Sequence, residues 1–460
     1  MRYVSTRGAA PELGFTDAML AGLAVDGGLY VPEHWPALPA RRPGDDYAAR
    51  AAQIIQSFVG DELPADTVAR LCSEAYGTFA HPAVVPLVQL EHDHFVQELF
   101  HGPTLAFKDV ALQLLGRLLD EVLRTRGQRV TIVGATSGDT GSAAIDGVRG
   151  CAHVDIVILY PAGRTSDVQR RQMTTVDEPN VRVVAVDGTF DDCQDLVKAM
   201  FNHVEFRERM GLSAVNSINW ARVMAQVVYY AVAADVLAGP VDVCVPSGNF
   251  GNVFAGWIAK RAGAPIDSLV VATNANDILH RFFAGGEMST VPVVPSLSPS
   301  MDIQVSSNFE RLLFEMNGRD GTATARQLQR FRETGSLGVT AAQRAEYVEG
   351  TFESARLDDA ATLEVMRRVH GATGMLLDPH TAVGVGAVEQ LRASGRLGGT
   401  AVTLATAHPA KFPDAVERAT GCRPGLPPHL ADLFDRPERF ASLPNDLAAV
   451  EQFVSSAFAH

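Results

Sequence analysis

Among the 39 basic residues of this 460-residue chain, only Lys108, Lys198, Lys260 and Lys411 are lysine. Arginine fills the other basic positions. It supplies surface charge as well as lysine does, but it cannot lose its proton to become an amine nucleophile. A lysine retained in such a chain is therefore worth reading for chemistry. Lys198, in DLVKAMF, and Lys260, in WIAKRAG, lie in amphipathic helical patterns and read as solvated surface residues. Lys108 has a different setting. It follows the apolar run Leu105, Ala106, Phe107 and opens a helical pattern, where desolvation and the helix dipole both disfavour the ammonium. A free amine is then easier to reach, as a Schiff-base lysine requires. Taken alone, the segment also fits a lysine beside a cap, with Asp109 favouring the helix start.

Three more segments carry chemistry. GATSGDTGS, residues 134–142, lies between a strand and a helix. Its glycines let backbone approach a ligand, and Thr136, Ser137 and Thr140 offer hydroxyls and N–H groups to an anion such as a carboxylate. It is neither a Walker loop nor GxGxxG, and as a bare pattern it is also a tight turn. PSGNFGN, residues 246–252, again joins a strand to a helix. Successive N–H groups from Gly248 to Asn252 at a helix N-terminus suit a phosphate without any cation; the alternative is a turn whose Asn and Gly serve left-handed geometry. In TLATAHPAKF, residues 403–412, Thr406 places a hydroxyl at a strand end, and Lys411 opens the next helix, where a bound anion would explain it. His408, before a proline, reads as structural.

The elements that must position these segments alternate. Strands are expected at 129–134, 155–160, 181–186, 241–245, 269–273 and 400–404, several nearly continuous in Val, Ile and Leu, as strands covered on both faces should be. Helical patterns at 110–124, 167–175, 190–201, 219–237 and 252–262 lie between them. This order calls for α/β architecture with two doubly wound parallel-sheet domains. A small mixed helical domain precedes them at 1–86. The smaller α/β domain, 87–215, carries Lys108 and the GATSGDTG loop, and the larger, 216–460, carries SGNFGN and TAHPAKF. Residues 317–356 read as helical without clear strands, and the chain beyond Pro424 as a proline-rich crossing followed by a short helix.

A net charge of −14 argues against a nucleic-acid or anionic-membrane partner. No apolar run is long enough to span a bilayer, the first residues lack the apolar core of a signal peptide, and five scattered cysteines without a CxxC pair suit a reducing compartment. The expectation is a cytoplasmic protein with no metal.

Several of these segments carry a resemblance. ELFHGPTLAFKD, GATSGDTGSAA, NSINWARVMAQ, VPSGNFGN, SPSMDIQVSSNFERLLFE, DPHTAVG and TAHPAKF, in this order, are similar to threonine synthases of the enterobacterial and fungal group. STRG and FTDAMLAGLAVDGGLYVPE resemble that group's N-terminal domain, so the likeness runs from about Tyr3 to Thr420. Serine/threonine dehydratases, tryptophan synthase β chains and cysteine synthases carry SFKxRGA, GGGSN and GTGGT where this chain has LAFKDVA and SGNFGN. The resemblance implies fold type II and pyridoxal 5′-phosphate as cofactor. It further implies conversion of O-phosphohomoserine and water to threonine and phosphate by a monomer or homodimer. By resemblance Lys108 is the Schiff-base lysine and the catalytic base. Gly248, Asn249, Phe250, Gly251 and Asn252 form the phosphate loop, and Thr406 faces the pyridine nitrogen. Thr136, Ser137, Asp139 and Thr140 match the loop for the substrate carboxylate. Arg164, Arg222 and Lys411 are candidates for the substrate phosphate, chosen for charge. A related phospholyase and a non-catalytic cofactor-binding protein are the rival readings.

Overall fold

The computed structural model describes residues 1–136 and 138–458, organised by two open sheets. The larger runs Phe352–Arg356, Ile266–Thr273, Val241–Pro246, Thr400–Ala405, His94–Glu98 and Leu87–Glu91, parallel except for the last strand. The smaller runs Ala441–Pro444, Val181–Asp187, Val154–Pro161, Val130–Ala135 and Leu212–Ser213, parallel throughout. All six expected strands are present. Val154–Pro161 is buried at every position, the mark of a strand with helices on both faces.

Strand membership departs from a division at residue 216. His94–Glu98 pairs in parallel with Thr400–Ala405 in the larger sheet, and Ala441–Pro444 returns to pair with Val181–Asp187 in the smaller. Residues 317–356 also hold two strands, Ser336–Gly338 and Phe352–Arg356, the second on the edge of the larger sheet. These strands escaped the apolar pattern for a physical reason. His94 and Gln97 are buried polar residues in their strand: the His94 ring bonds the Thr403 hydroxyl at 2.9 Å, and the Gln97 amide N–H donates to the Tyr229 carbonyl at 3.0 Å. Burial of a polar group is tolerated once its hydrogen bonds are met, and no local pattern reports that.

The N-terminal unit packs its helices Tyr47–Val59 and Ala65–Tyr76 behind two long helices, Lys108–Arg126 and Trp220–Leu237, in one continuous core. Tyr3 and Phe58 set their rings 5.6 and 5.9 Å from Trp220. Lys108–Arg126 also meets Asp139–Val148 backbone to backbone. A Cβ on Gly116 would lie 1.9 Å from the Gly147 carbonyl oxygen, and one on Gly147 2.5 Å from that of Leu112. Two glycines thus fix the spacing of the helices that begin with Lys108 and Asp139.

Candidate active site

In parallel sheets the loops at the carboxyl ends of the strands bind ligands, and here they converge. His94–Glu98 leads to Lys108, Val241–Pro246 to the SGNFGN loop, and Thr400–Ala405 to Thr406, on three adjacent strands. The turn before Lys108 is stitched to the last of these strands. Phe107 N–H donates to the Thr406 carbonyl at 2.9 Å, and His408 N–H to the Leu105 carbonyl at 3.0 Å. A lysine on a helix of the smaller layer is thereby held over the edge of the larger sheet.

Around Lys108 the dominant feature is a buried carboxylate with two ammonium partners. Asp139 Oδ2 lies 3.3 Å from Lys108 Nζ, and Oδ1 lies 2.8 Å from Lys411 Nζ. Gln169 Nε2 donates to the same Oδ1 at 2.8 Å. Lys411, whose side chain is 0% exposed, also donates to the Thr104 carbonyl at 2.7 Å. Burial pulls the Lys108 amine below the ordinary lysine range; Asp139 partly restores it, and Lys411 and Arg222 lower it further. Burial by itself would raise the Asp139 carboxyl, but Lys411 and Lys108 outweigh that and hold it far below the usual carboxylate range.

This changes the reading of residues 136–140. An ionised Asp139 accepts hydrogen bonds only, and its side chain is taken up by the two lysines and Gln169. The Thr136 hydroxyl accepts from the N–H groups of Gly138 at 3.0 Å and Gly141 at 3.1 Å, which shapes the loop from within. Thr140 stands in the first turn of Asp139–Val148. Ser137 lies outside the described residues.

The second loop is built to keep its shape. Phe250 takes the left-handed conformation, φ 63°, which costs a non-glycine residue energy. Its ring is anchored 5.8, 5.4 and 6.2 Å from those of Phe283, Phe309 and Phe352. Ser306 Oγ donates to the Gly248 carbonyl at 2.5 Å and Asn308 N–H to that of Asn249 at 3.2 Å, so SPSMDIQVSSN braces the loop. A Cβ on Gly248 would lie 3.0 Å from the Ser300 carbonyl oxygen, and Ser300 N–H in turn donates to His380 Nε2 at 3.3 Å. From Gly251 the chain enters Gly251–Arg261, which leaves the N–H groups of that helix start available to an anion.

Several buried donors have no partner among the described residues, and some of them lie on two residues singled out for the site. Asn252 Oδ1 accepts from the Tyr229 and Tyr230 hydroxyls at 2.5 and 2.8 Å, which leaves Nδ2 turned away from both and unbonded. Arg222 keeps Nε and Nη1 unbonded, and burial pulls its guanidinium down to about 10. Unmet buried donors are costly and point to a ligand. Arg222 joins Lys108 and Lys411 electrostatically. Arg164 does not: it is exposed on the turn after Val154–Pro161, within electrostatic reach of Asp192. Gln169, Thr104, Tyr229, Tyr230 and His380 carried no recognisable signal in the sequence, because each acts through a contact across the fold.

Pyridoxal phosphate fits this donor set: a buried amine of lowered basicity, a helix start with N–H groups for a phosphate, an unmet amide N–H2 on that helix and a neutral threonine at the strand end. The fold and site define a pyridoxal-phosphate-dependent enzyme of fold type II. Family models agree along the chain: "Threonine synthase N terminus" matches residues 2–76, "Pyridoxal-phosphate dependent enzyme" 81–327, and "Threonine synthase, C-terminal" 381–454. A threonine synthase of Pseudomonas aeruginosa is 54% identical over 99% of this chain and 98% of its own length. The crystal structure of pyridoxal-phosphate-bound threonine synthase from Brucella melitensis superposes with a TM-score of 0.96, at 51% identity and covering 99% of both chains. A protein of Rattus norvegicus named threonine synthase-like 2 is 39% identical over 94% of this chain and 92% of its own. The chain belongs to the threonine synthase family. Among the described residues no helix is long and apolar enough to cross a membrane.

Proposed function

We propose that this chain converts O-phospho-L-homoserine and water to L-threonine and phosphate, as a cytoplasmic monomer or homodimer. The observation that carries the proposal is the buried Arg222 guanidinium, with Nε and Nη1 unbonded among the described residues and within electrostatic reach of Lys108: an anion-binding group outside the Gly248–Asn252 loop, as a substrate with its own phosphate requires.

Pyridoxal phosphate, when bound, supplies the electron sink that makes the protons next to the substrate amine acidic. The chain supplies position and proton traffic. Lys108 holds the cofactor. The backbone N–H groups of Gly248, Asn249, Phe250, Gly251 and Asn252, with Asn252 Nδ2, would hold its phosphate, and the Thr406 hydroxyl would serve its ring nitrogen without adding a formal charge. The backbone N–H groups of Asp139 and Thr140 and the Thr140 hydroxyl, in the first turn of Asp139–Val148, take the substrate carboxylate. Arg222 takes the substrate phosphate. Lys411, which remains paired with Asp139, adds positive potential nearby. Lys108 Nζ, once free of the cofactor, takes the proton from substrate Cα and later returns one to carbon. Closure of the two sheet layers over the site would exclude water until the step that adds it.

Incubation with O-phosphohomoserine, assaying threonine and phosphate together, tests this. Equimolar products are expected. Phosphate accompanied by a keto acid and ammonia, without threonine, would assign the chain to the phospholyase reading instead; the match to threonine synthase-like 2 is what keeps that reading in view.

A further inference from the structure

Asp139 divides its two oxygens unequally. Oδ1 takes Lys411 and Gln169, both at 2.8 Å, while Oδ2 meets Lys108 at 3.3 Å. The Lys411 contact is anchored. Its ammonium is fully buried and also bound to the Thr104 carbonyl, and Thr104 is itself fixed by Asp109, which accepts from its N–H at 2.8 Å and its hydroxyl at 2.6 Å. Among the described residues Lys108 has the longer contact to Oδ2 and a Phe107 ring 5.1 Å away. The spacing between the two is not free to drift, because Gly116 and Gly147 lock the helices that begin with Lys108 and Asp139.

Charge makes this asymmetry useful. Asp139 and Lys411 together are neutral, so a proton on Lys108 adds a single positive charge to a buried site, and Oδ2 is the group placed to accept it. A carboxylate serving Lys108 alone would hold that proton too firmly for a group that must give it back, since a buried pair resists separation. One shared with a second ammonium holds it less firmly. The charged groups acting on Lys108 are Asp139, Lys411 and Arg222 from Trp220–Leu237; next to it on its own helix, burial raises the Asp109 carboxyl to about 7.

We propose that Asp139 is a positioning residue for Lys108: through Oδ2 it receives the ε-amino group each time substrate frees it, while Lys411 limits the charge that Asp139 can offer so that Lys108 can release its proton again. The proposal rests on Lys108 being the cofactor lysine. The step balances without an outside oxidant or reductant. The Cα proton forms the third N–H bond on Nζ, the electron pair of the broken C–H bond stays with the substrate, and that bond to Nζ breaks when carbon is reprotonated.

The test is the pH dependence of pyridoxal phosphate capture by the full-length, cofactor-stripped protein. Capture requires the neutral amine, so its midpoint reports the charge state of Lys108 without turnover. Asp139→Asn should lower the midpoint by about one pH unit, a tenfold change in the neutral fraction below the midpoint. Lys411→Met should raise it by a similar amount, and Lys411→Arg should leave it in place. Opposite shifts are the signature, because a merely structural disturbance would not sort by charge. Shifts of one sign, no shift, or a Lys411→Arg protein that behaves like Lys411→Met would overturn the proposal. Where circular dichroism shows that Asp139→Asn does not fold, the two Lys411 variants decide. Borohydride reduction of the loaded wild type and peptide mapping test the cofactor lysine separately; a label elsewhere than Lys108 overturns that assignment and this proposal with it.

Discussion

The four lysines of this chain divide into two pairs whose settings could hardly differ more. Lys198 is 67% exposed and pairs with Asp195 one turn away, and Lys260 donates to the carbonyls of Ile266 and Asp267 at the base of a strand. Lys108 and Lys411, 303 residues apart in sequence, meet over one buried carboxylate. The first pair does what arginine does elsewhere on the surface. In the second pair Lys108 is placed where a basic group that can lose its proton is of use, and arginine cannot lose one. The comparison teaches that scarcity alone does not mark function; scarcity together with burial does.

The largest effect should follow from Lys108→Ala. Threonine formation should fall by about 10²–10⁴-fold from loss of the proton carrier alone, and borohydride should no longer fix the cofactor to the chain; a variant that keeps both would place the chemistry elsewhere. Next, Arg222→Met should leave cofactor absorbance intact while kcat/KM for O-phosphohomoserine falls by roughly 100-fold, the scale of two charge-assisted hydrogen bonds. Unchanged kinetics would remove Arg222 from the substrate site.

Gly116→Ala tests whether the buried pair depends on its scaffold. The added methyl meets backbone 1.9 Å away and cannot be accommodated without separating the two helices, so a loss of about 1–3 kcal/mol is expected in a denaturation experiment, together with weaker activity. Tyr229→Phe and Tyr230→Phe each remove one hydroxyl that fixes the Asn252 amide, and cofactor affinity by titration should weaken by about tenfold in the double variant. Lys198→Ala sharpens the contrast from the other side: stability should stay within about 0.5 kcal/mol and kinetics should not change.

Much of this site was legible in one dimension. Lys108, the 248–252 loop and Thr406 all sit where a strand ends or a helix begins, and such places announce themselves through glycine, small polar residues and the switch in hydrophobic period. Arg222 and Arg164 show the limit. Both are arginines in well-formed motifs, yet one is buried with unmet donors beside Lys108 and the other faces solvent. Spacing along the chain says nothing about which way a turn points a guanidinium. Asp139 shows the same limit: in sequence it belongs to a loop rich in hydroxyls, and only the folded chain sets its carboxylate between Lys108 and Lys411.

The strands tell the same story at the level of fold. Val154–Pro161 was readable because burial on both faces demands an uninterrupted apolar run. His94–Glu98 was not, since its buried polar residues His94 and Gln97 find hydrogen bonds only on Thr403 and Tyr229, far away in the chain. Nor was Ala441–Pro444, whose parallel pairing with Val184 to Asp187 closes over more than 250 residues.

By itself, then, the sequence determined the class of chemistry: a lone lysine at a helix start, a cation-free phosphate loop and an alternating α/β order are local properties, written in neighbouring residues. Only the tertiary structure decided how that lysine is controlled. The carboxylate between Lys108 and Lys411, the tyrosines that orient Asn252 and the glycine contact that holds two helices together are each made by residues far apart in the chain. Their effect depends on burial, and burial is a property of the folded whole.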